Sequence, residues 1–198
     1  MDKKLFSDPF VVLDTETTGV YNNAQLIELA AVCVDEWGRI RSRFSSLIKP
    51  AKPVSPKNKA LEVNKITLAD LETAPTWEVV SSHFDRWLRA IPTRHGEVVC
   101  TAFNSSFDRR MLDNHHFSLR WGACIRTLSN KCMKVKNQQP KDKDGKNRAP
   151  SLEEACIFFS IPYPQNAHRA LADAEVTALV ALKAYKEHEP QNSLASFY

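Results

Sequence analysis

Phe10-Val11-Val12-Leu13-Asp14-Thr15-Glu16-Thr17-Thr18-Gly19 is the stretch on which the fold turns. Residues 10–13 are apolar throughout, the signature of a strand buried on both faces. Asp14 and Glu16 follow, two residues apart. Residues i and i+2 of an extended chain share a face, so both carboxylates leave the strand end side by side. Like charges held that close raise each other's pKa unless a cation lies between them. A hard divalent ion such as Mg²⁺ takes oxygen ligands of this kind. Asp, Thr and Gly also favour turns, so the stretch alone fits an acidic strand-to-turn cap equally well.

Outward from it, the chain reads as strands first and helices later. A second strand is expected at 26–34 and, across the turn Asp35-Glu36-Trp37-Gly38, a third at 40–48. These three form an antiparallel start. Pro50, Pro53 and Pro56 make a stiff connector into a short helix at 57–63, with Pro56 at its first position. Thr67 with Asp70 reads as a helix cap. Residues 76–91 carry Val79, Val80, Phe84, Trp87, Leu88 and Ile91 on one helical stripe. A strand at 98–100, a helix at 106–114, a strand at 121–125 and a helix at 127–133 come next. A loop at 134–150, a helix capped by Ser151 and Glu154, and a last helix at 170–187 stopped by Pro190 complete the order. Together they give an α/β or α+β mixed sheet, in one domain over 1–189 followed by a tail at 190–198.

Composition excludes several classes. The 198 residues are 43% hydrophobic and 25% charged, ordinary for a globular domain with a real core. No apolar run approaches the roughly 18 residues of a membrane helix, and the N-terminus lacks the apolar core of a secretory signal. Five scattered cysteines without a C-x-x-C pair suit a reducing compartment rather than disulfides or zinc. An intracellular protein, cytoplasmic or nuclear, is the expectation. Net charge is +4. Six basic residues (Lys134, Lys136, Lys141, Lys143, Lys146, Arg148) and only two acids (Asp142, Asp144) fall in one segment, an excess equal to that of the whole chain. Such a patch suits a phosphate backbone, and equally a solvated loop without a partner.

Two more places combine acid with unusual neighbours. Asp108 lies in the first turns of the helix after Asn104-Ser105-Ser106-Phe107, and Asp173 lies in the last helix behind His168-Arg169-Ala170-Leu171-Ala172. Asp108 also suits a helix N-terminus on electrostatic grounds alone. Asp173 is set among alanines and Val176, where a buried acid needs a partner. Four carboxylates converging at one sheet edge would call for two divalent ions, which can activate water for phosphodiester cleavage. An imidazole nearby can take the water's proton.

Asp14-x-Glu16, Asn104-x-x-x-Asp108 and His168-x-x-x-x-Asp173, in this order, resemble the three motifs of the DEDDh 3′–5′ exonucleases. That superfamily includes the epsilon proofreading subunit of bacterial polymerase III, exonuclease X and ribonuclease T. The resemblance implies an α/β, ribonuclease-H-like fold, a five-stranded mixed sheet flanked by helices, and two Mg²⁺ or Mn²⁺ ions. Asp14, Glu16 and Asp173 would hold one ion, Asp14 would bridge to a second with Asp108, and His168 would be the general base. Thr17 and Asn104 would contact substrate, as would the segment holding Asn64 and Ile66, with Ile66 packed on the terminal base. The chain departs from the pattern at Asn64, Lys65, Phe103 and Arg126, none of them a metal or base position. The expected activity is release of 5′-mononucleotides from single-stranded or mismatched 3′ ends of DNA, in proofreading, repair or replication. RNA trimming by the same chemistry and a non-catalytic strand-end module are the alternatives.

The chain ends Gln191-Asn192-Ser193-Leu194-Ala195-Ser196-Phe197-Tyr198. This resembles the box by which partners of eukaryotic and archaeal sliding clamps bind, with Gln191 as polar anchor and Leu194, Phe197 and Tyr198 as apolar plugs. A tail folded back on its own domain is the alternative.

Overall fold

β1 (Phe10–Thr17) is the middle strand of a five-stranded sheet. β2 (Leu26–Val34) and β3 (Ile40–Leu47) extend it antiparallel on one side. β4 (Val99–Thr101) and β5 (Arg120–Trp121) extend it in parallel on the other, giving the order β3-β2-β1-β4-β5. The computed structural model describes residues 4–21, 23–94, 96–164 and 168–188. Among them, no helix is long and apolar enough to cross a membrane.

Among the described residues the helices are α1 (Lys59–Asn64), α2 (Leu68–Thr73), α3 (Trp77–Arg89), α4 (Ser105–Asp113), α5 (Ile125–Val135), α6 (Leu152–Phe158) and α7 (Ala170–His188), the last three after β5. Strand alternation sorts them onto two faces. Val11, Leu13, Leu29 and Ala31 pack with Val80 and Phe84 of α3 and Met111 and Leu112 of α4. Phe10, Val12, Val32 and Val34 pack with α5, α6 and α7. Ala170, Ala174, Ala178, Ala181 and Ala184 of α7 are fully or almost fully buried. Small side chains let that helix lie close to the sheet, and larger ones would overpack it.

The local signals for caps hold. Thr67 and Ser151 each form a complete capping box, with Asp70 and Glu154 returning the bond. Several boundaries move. β1 continues to Thr17, so Asp14 and Glu16 lie inside the ladder opposite Ala30 and Glu28 rather than beyond it. α1 begins at Lys59 because Asn58 accepts from the N–H groups of Ala60 and Leu61, which leaves Pro56 outside. Val79 is exposed while Val80 and Phe84 are buried, so the stripe of α3 is narrower than expected. β5 stops at Trp121. Ile125 instead opens α5, where the N–H groups of Ile125 and Arg126 find the carbonyls of Ala102 and Phe103.

The segment 134–150 is not all loop. It begins with the last turn of α5 and then folds on itself through an antiparallel bridge between Lys141 and Asn147. Two of its cations are committed: Arg148 forks onto both Glu154 oxygens and Lys136 pairs with Glu187 at 2.8 Å. The expected stop at Pro190 and the residues 191–198 lie outside the described residues.

Candidate active site

The parity that packs Val12 towards α7 also aims Asp14 and Glu16 at that helix, since all three occupy even positions of one strand. Asp173, in the first turn of α7, meets them there. One carboxylate oxygen from each of Asp14, Glu16 and Asp173 lies within 4.8 Å of the others. Thr15, at an odd position, faces α4 instead, and its Oγ1 donates to Asp108 Oδ1 at 2.8 Å.

His168 precedes α7 in a left-handed backbone conformation, φ 66°. A non-glycine residue there is strained by about 1–2 kcal/mol. Its N–H donates to Asp173 Oδ2 at 3.3 Å, while the residue as a whole stays exposed. A cleft of about 330 Å³ collects Asp14, Asp108, Asp173, His168 and Asn104 with Thr15, Phe103, Phe107, Glu153 and Tyr163. The three motif segments therefore meet at one end of the sheet.

Electrostatically the site is short of positive charge. Burial, then the charges of Asp108, Glu16 and Asp173, push Asp14 well above the usual carboxylate range. Burial, then Asp173 and Glu28, push Glu16 up to about 8, against a hydrogen bond from Asn64. Burial pushes Asp108 up to about 7 despite the bond from Thr15. Asp173 is also raised by burial, and its Oδ1 is a buried oxygen with no hydrogen-bond partner. Clustered oxygens, mutual repulsion and an orphaned buried acceptor are what a hard divalent cation satisfies, so the donor set fits one.

Among the expected substrate contacts, Asn104 lines the cleft, and its side chain makes no cap bond to α4. Asn64 is 1% exposed and braces the site from behind, donating to Glu16 Oε2 at 3.5 Å and accepting from the N–H of Ile66. Thr17 is buried, with its hydroxyl on the carbonyl of Gly19. Ile66 departs from expectation. It is 2% exposed and packed with Ile27, Leu61 and Leu71, a core residue with no surface for a base. Its neighbour Lys65 turns left-handed to end α1, and that turn sends Ile66 inward. Arg126 spends its Nε on the carbonyl of Pro150.

Sequence reading overlooked Thr15, Glu28 and Tyr163. A hydroxyl between two motif acids gave Thr15 no separate signal. Glu28 did carry one, being the lone acid of an otherwise apolar and wholly buried β2.

The RNase_T family, described as exonuclease, matches residues 11–181. The chain is 30% identical over 187 residues to a PolC-type DNA polymerase III of Staphylococcus haemolyticus, covering 92% of this chain and 12% of that one. It thus spans about an eighth of the length of such relatives. Exonuclease I of E. coli in complex with a dA16 oligonucleotide superposes with a TM-score of 0.73 at 17% identity, over 93% of this chain and 42% of that one. The nuclease domain of 3′hExo, a DEDDh family member bound to rAMP, superposes with 0.70 at 15% identity, over 94% and 96% of the two chains. These superpositions place the mixed sheet in the ribonuclease-H-like fold.

Proposed function

This chain belongs to the exonuclease family, and from that premise we propose that it is a metal-dependent 3′–5′ exonuclease releasing 5′-mononucleotides from 3′ ends of DNA. The observation that carries the proposal is the convergence of Asp14, Glu16 and Asp173 within 4.8 Å, with Asp108 and His168 on the same cleft.

Asp14, Glu16 and Asp173 would hold one divalent ion, and Asp14 with Asp108 a second, Mg²⁺ or Mn²⁺ in both places. Bound there, such ions supply counter-charge for the phosphate and make a water easier to ionise. The chain's own residues do the rest. His168, exposed at the rim, takes the proton of the attacking water. The water oxygen bonds to phosphorus as the bond to the 3′ oxygen of the preceding nucleotide breaks, and that oxygen takes a proton from solvent. Asn104 and the backbone around Thr17 hold the terminal nucleotide, with the cleft between Phe103 and Phe107 excluding water from one side.

DNA is favoured because the relatives at 30% identity are DNA polymerases. A role in replication or repair, and delivery to DNA by a sliding clamp through Gln191, Leu194, Phe197 and Tyr198, belong to the same proposal. RNA is the second reading, favoured by the superposition on 3′hExo with rAMP. Side-by-side digestion of labelled single-stranded DNA, duplex DNA with a mismatched 3′ end and RNA, with Mg²⁺, Mn²⁺ or chelator, tests both. Mononucleotide release from DNA that chelator stops is expected. Release from RNA alone selects the second reading, and no release with either metal rejects the activity. Removal of 191–198 should leave digestion of a short oligonucleotide intact and abolish clamp binding. Unfolding of the truncated chain would instead mark the tail as part of the domain.

A further inference from the structure

Glu28 is a buried charge that the mechanism above leaves unused. It is 2% exposed, and its Cα pairs with that of Glu16 across the β1–β2 ladder. Directly opposed residues of an antiparallel pair share a face, and like charges there are destabilising. A guanidinium relieves the pair from one side only. Arg169 Nη2 donates to Glu28 Oε1 at 2.7 Å and its Nε to Oε2 at 3.2 Å, while the N–H of Ala170 donates to the same Oε2 at 3.0 Å.

The placement of that cation is the unusual feature. Arg169 follows His168 directly and precedes Asp173 by four residues, and its guanidinium is near enough to Glu16 for the two charges to attract. An arginine fork suits any carboxylate within reach. Left free, it would pair with Glu16, directly across the ladder from its present partner, and fill the place of a cation. Glu28 belongs to no metal-binding group of the described residues, yet it takes the whole fork.

We propose that Glu28 is a positioning residue that sequesters Arg169, keeping the guanidinium off Glu16 so that Asp14, Glu16 and Asp173 remain open to a divalent ion. The inference rests on the metal-site reading above. Its rival is a plain anchor, in which the fork and the Ala170 bond simply fasten the start of α7 to β2.

Mn²⁺ binding to the full chain, measured by calorimetry without nucleic acid, separates the two. Glu28→Gln should weaken Mn²⁺ affinity about tenfold, the lower end of what loss of a supporting partner does to a metal site. The double variant Glu28→Gln/Arg169→Gln removes the competing cation and should recover most of the lost affinity. A double variant as weak as Glu28→Gln, or a Glu28→Gln protein with undiminished affinity, overturns the proposal. Arg169→Gln alone decides the matter if Glu28→Gln does not fold. It breaks the fork without freeing a cation, so retained affinity is expected, and a loss would show that the fork serves as an anchor. Absence of Mn²⁺ binding by the unaltered protein would reject the metal site itself, and this proposal with it.

Discussion

Thr15 Oγ1 donates a 2.8 Å hydrogen bond to Asp108 Oδ1, tying the central strand to a helix 93 residues further along the chain. Both residues are buried, Thr15 at 6% and Asp108 at 3% exposed. The strand thus sends its even-numbered acids to α7 and holds the acid of α4 through the odd-numbered hydroxyl between them.

Thr15→Val keeps the shape of the side chain and removes the donor. A buried carboxylate oxygen left without its partner costs about 1–3 kcal/mol. Urea denaturation should show a loss of that order, and turnover should fall about tenfold or more as Asp108 loses its orientation. Unchanged turnover would mean that packing alone holds Asp108.

Asp14→Asn exchanges function for stability. Burial and the charges of Asp108, Glu16, Asp173 and Glu28 all oppose ionisation of Asp14. Neutralising it should abolish nucleotide release yet stabilise the metal-free protein by about 1 kcal/mol, a rise of roughly 2–4 °C in melting temperature for a chain this size. A lowered melting temperature would show that the charge is compensated by something other than a metal.

The pH dependence of stability follows from the sign of the shifts. Glu16 rises from 4.5 to about 8 on folding, and Asp14 and Asp173 move in the same direction. A carboxyl whose folded pKa is raised binds its proton more tightly when folded. Its contribution is therefore complete below the unfolded value and lost as pH climbs through the folded one. Metal-free protein should lose melting temperature between about pH 4.5 and pH 8 by this linkage. The stabilisation conferred by Mg²⁺ should grow over the same window. Thermal melts with and without chelator read both curves. A metal effect that shrinks with pH would contradict them.

His168→Ala should cut turnover by about 10²–10⁴-fold, the usual contribution of a general base. Mn²⁺ affinity should change little, because the imidazole is not among the clustered ligand atoms. Loss of metal binding together with activity would make His168 a ligand or a structural residue instead.

The one-dimensional chain determined much of this protein. The apolar run before Asp14, the two-residue spacing to Glu16, the capping pairs Thr67–Asp70 and Ser151–Glu154, and the succession of strands and helices are local signals set by backbone geometry, readable without a partner. Asp108, His168 and Asp173 stood out by their neighbours, and the resemblance of the motif order supplied the roles expected of them. Other features depended on what lies across the sheet. Asp14 and Glu16 proved to be ladder residues because β2 continues to pair with them. Ile66 went into the core because Ile27, Leu61 and Leu71 enclose it. The grip of Glu28 on Arg169 spans 141 residues, and no periodicity reports such a pair. Side-chain period says which face a residue takes; only strand register and helix docking decide what meets it there, and at this site those meetings set the charge balance.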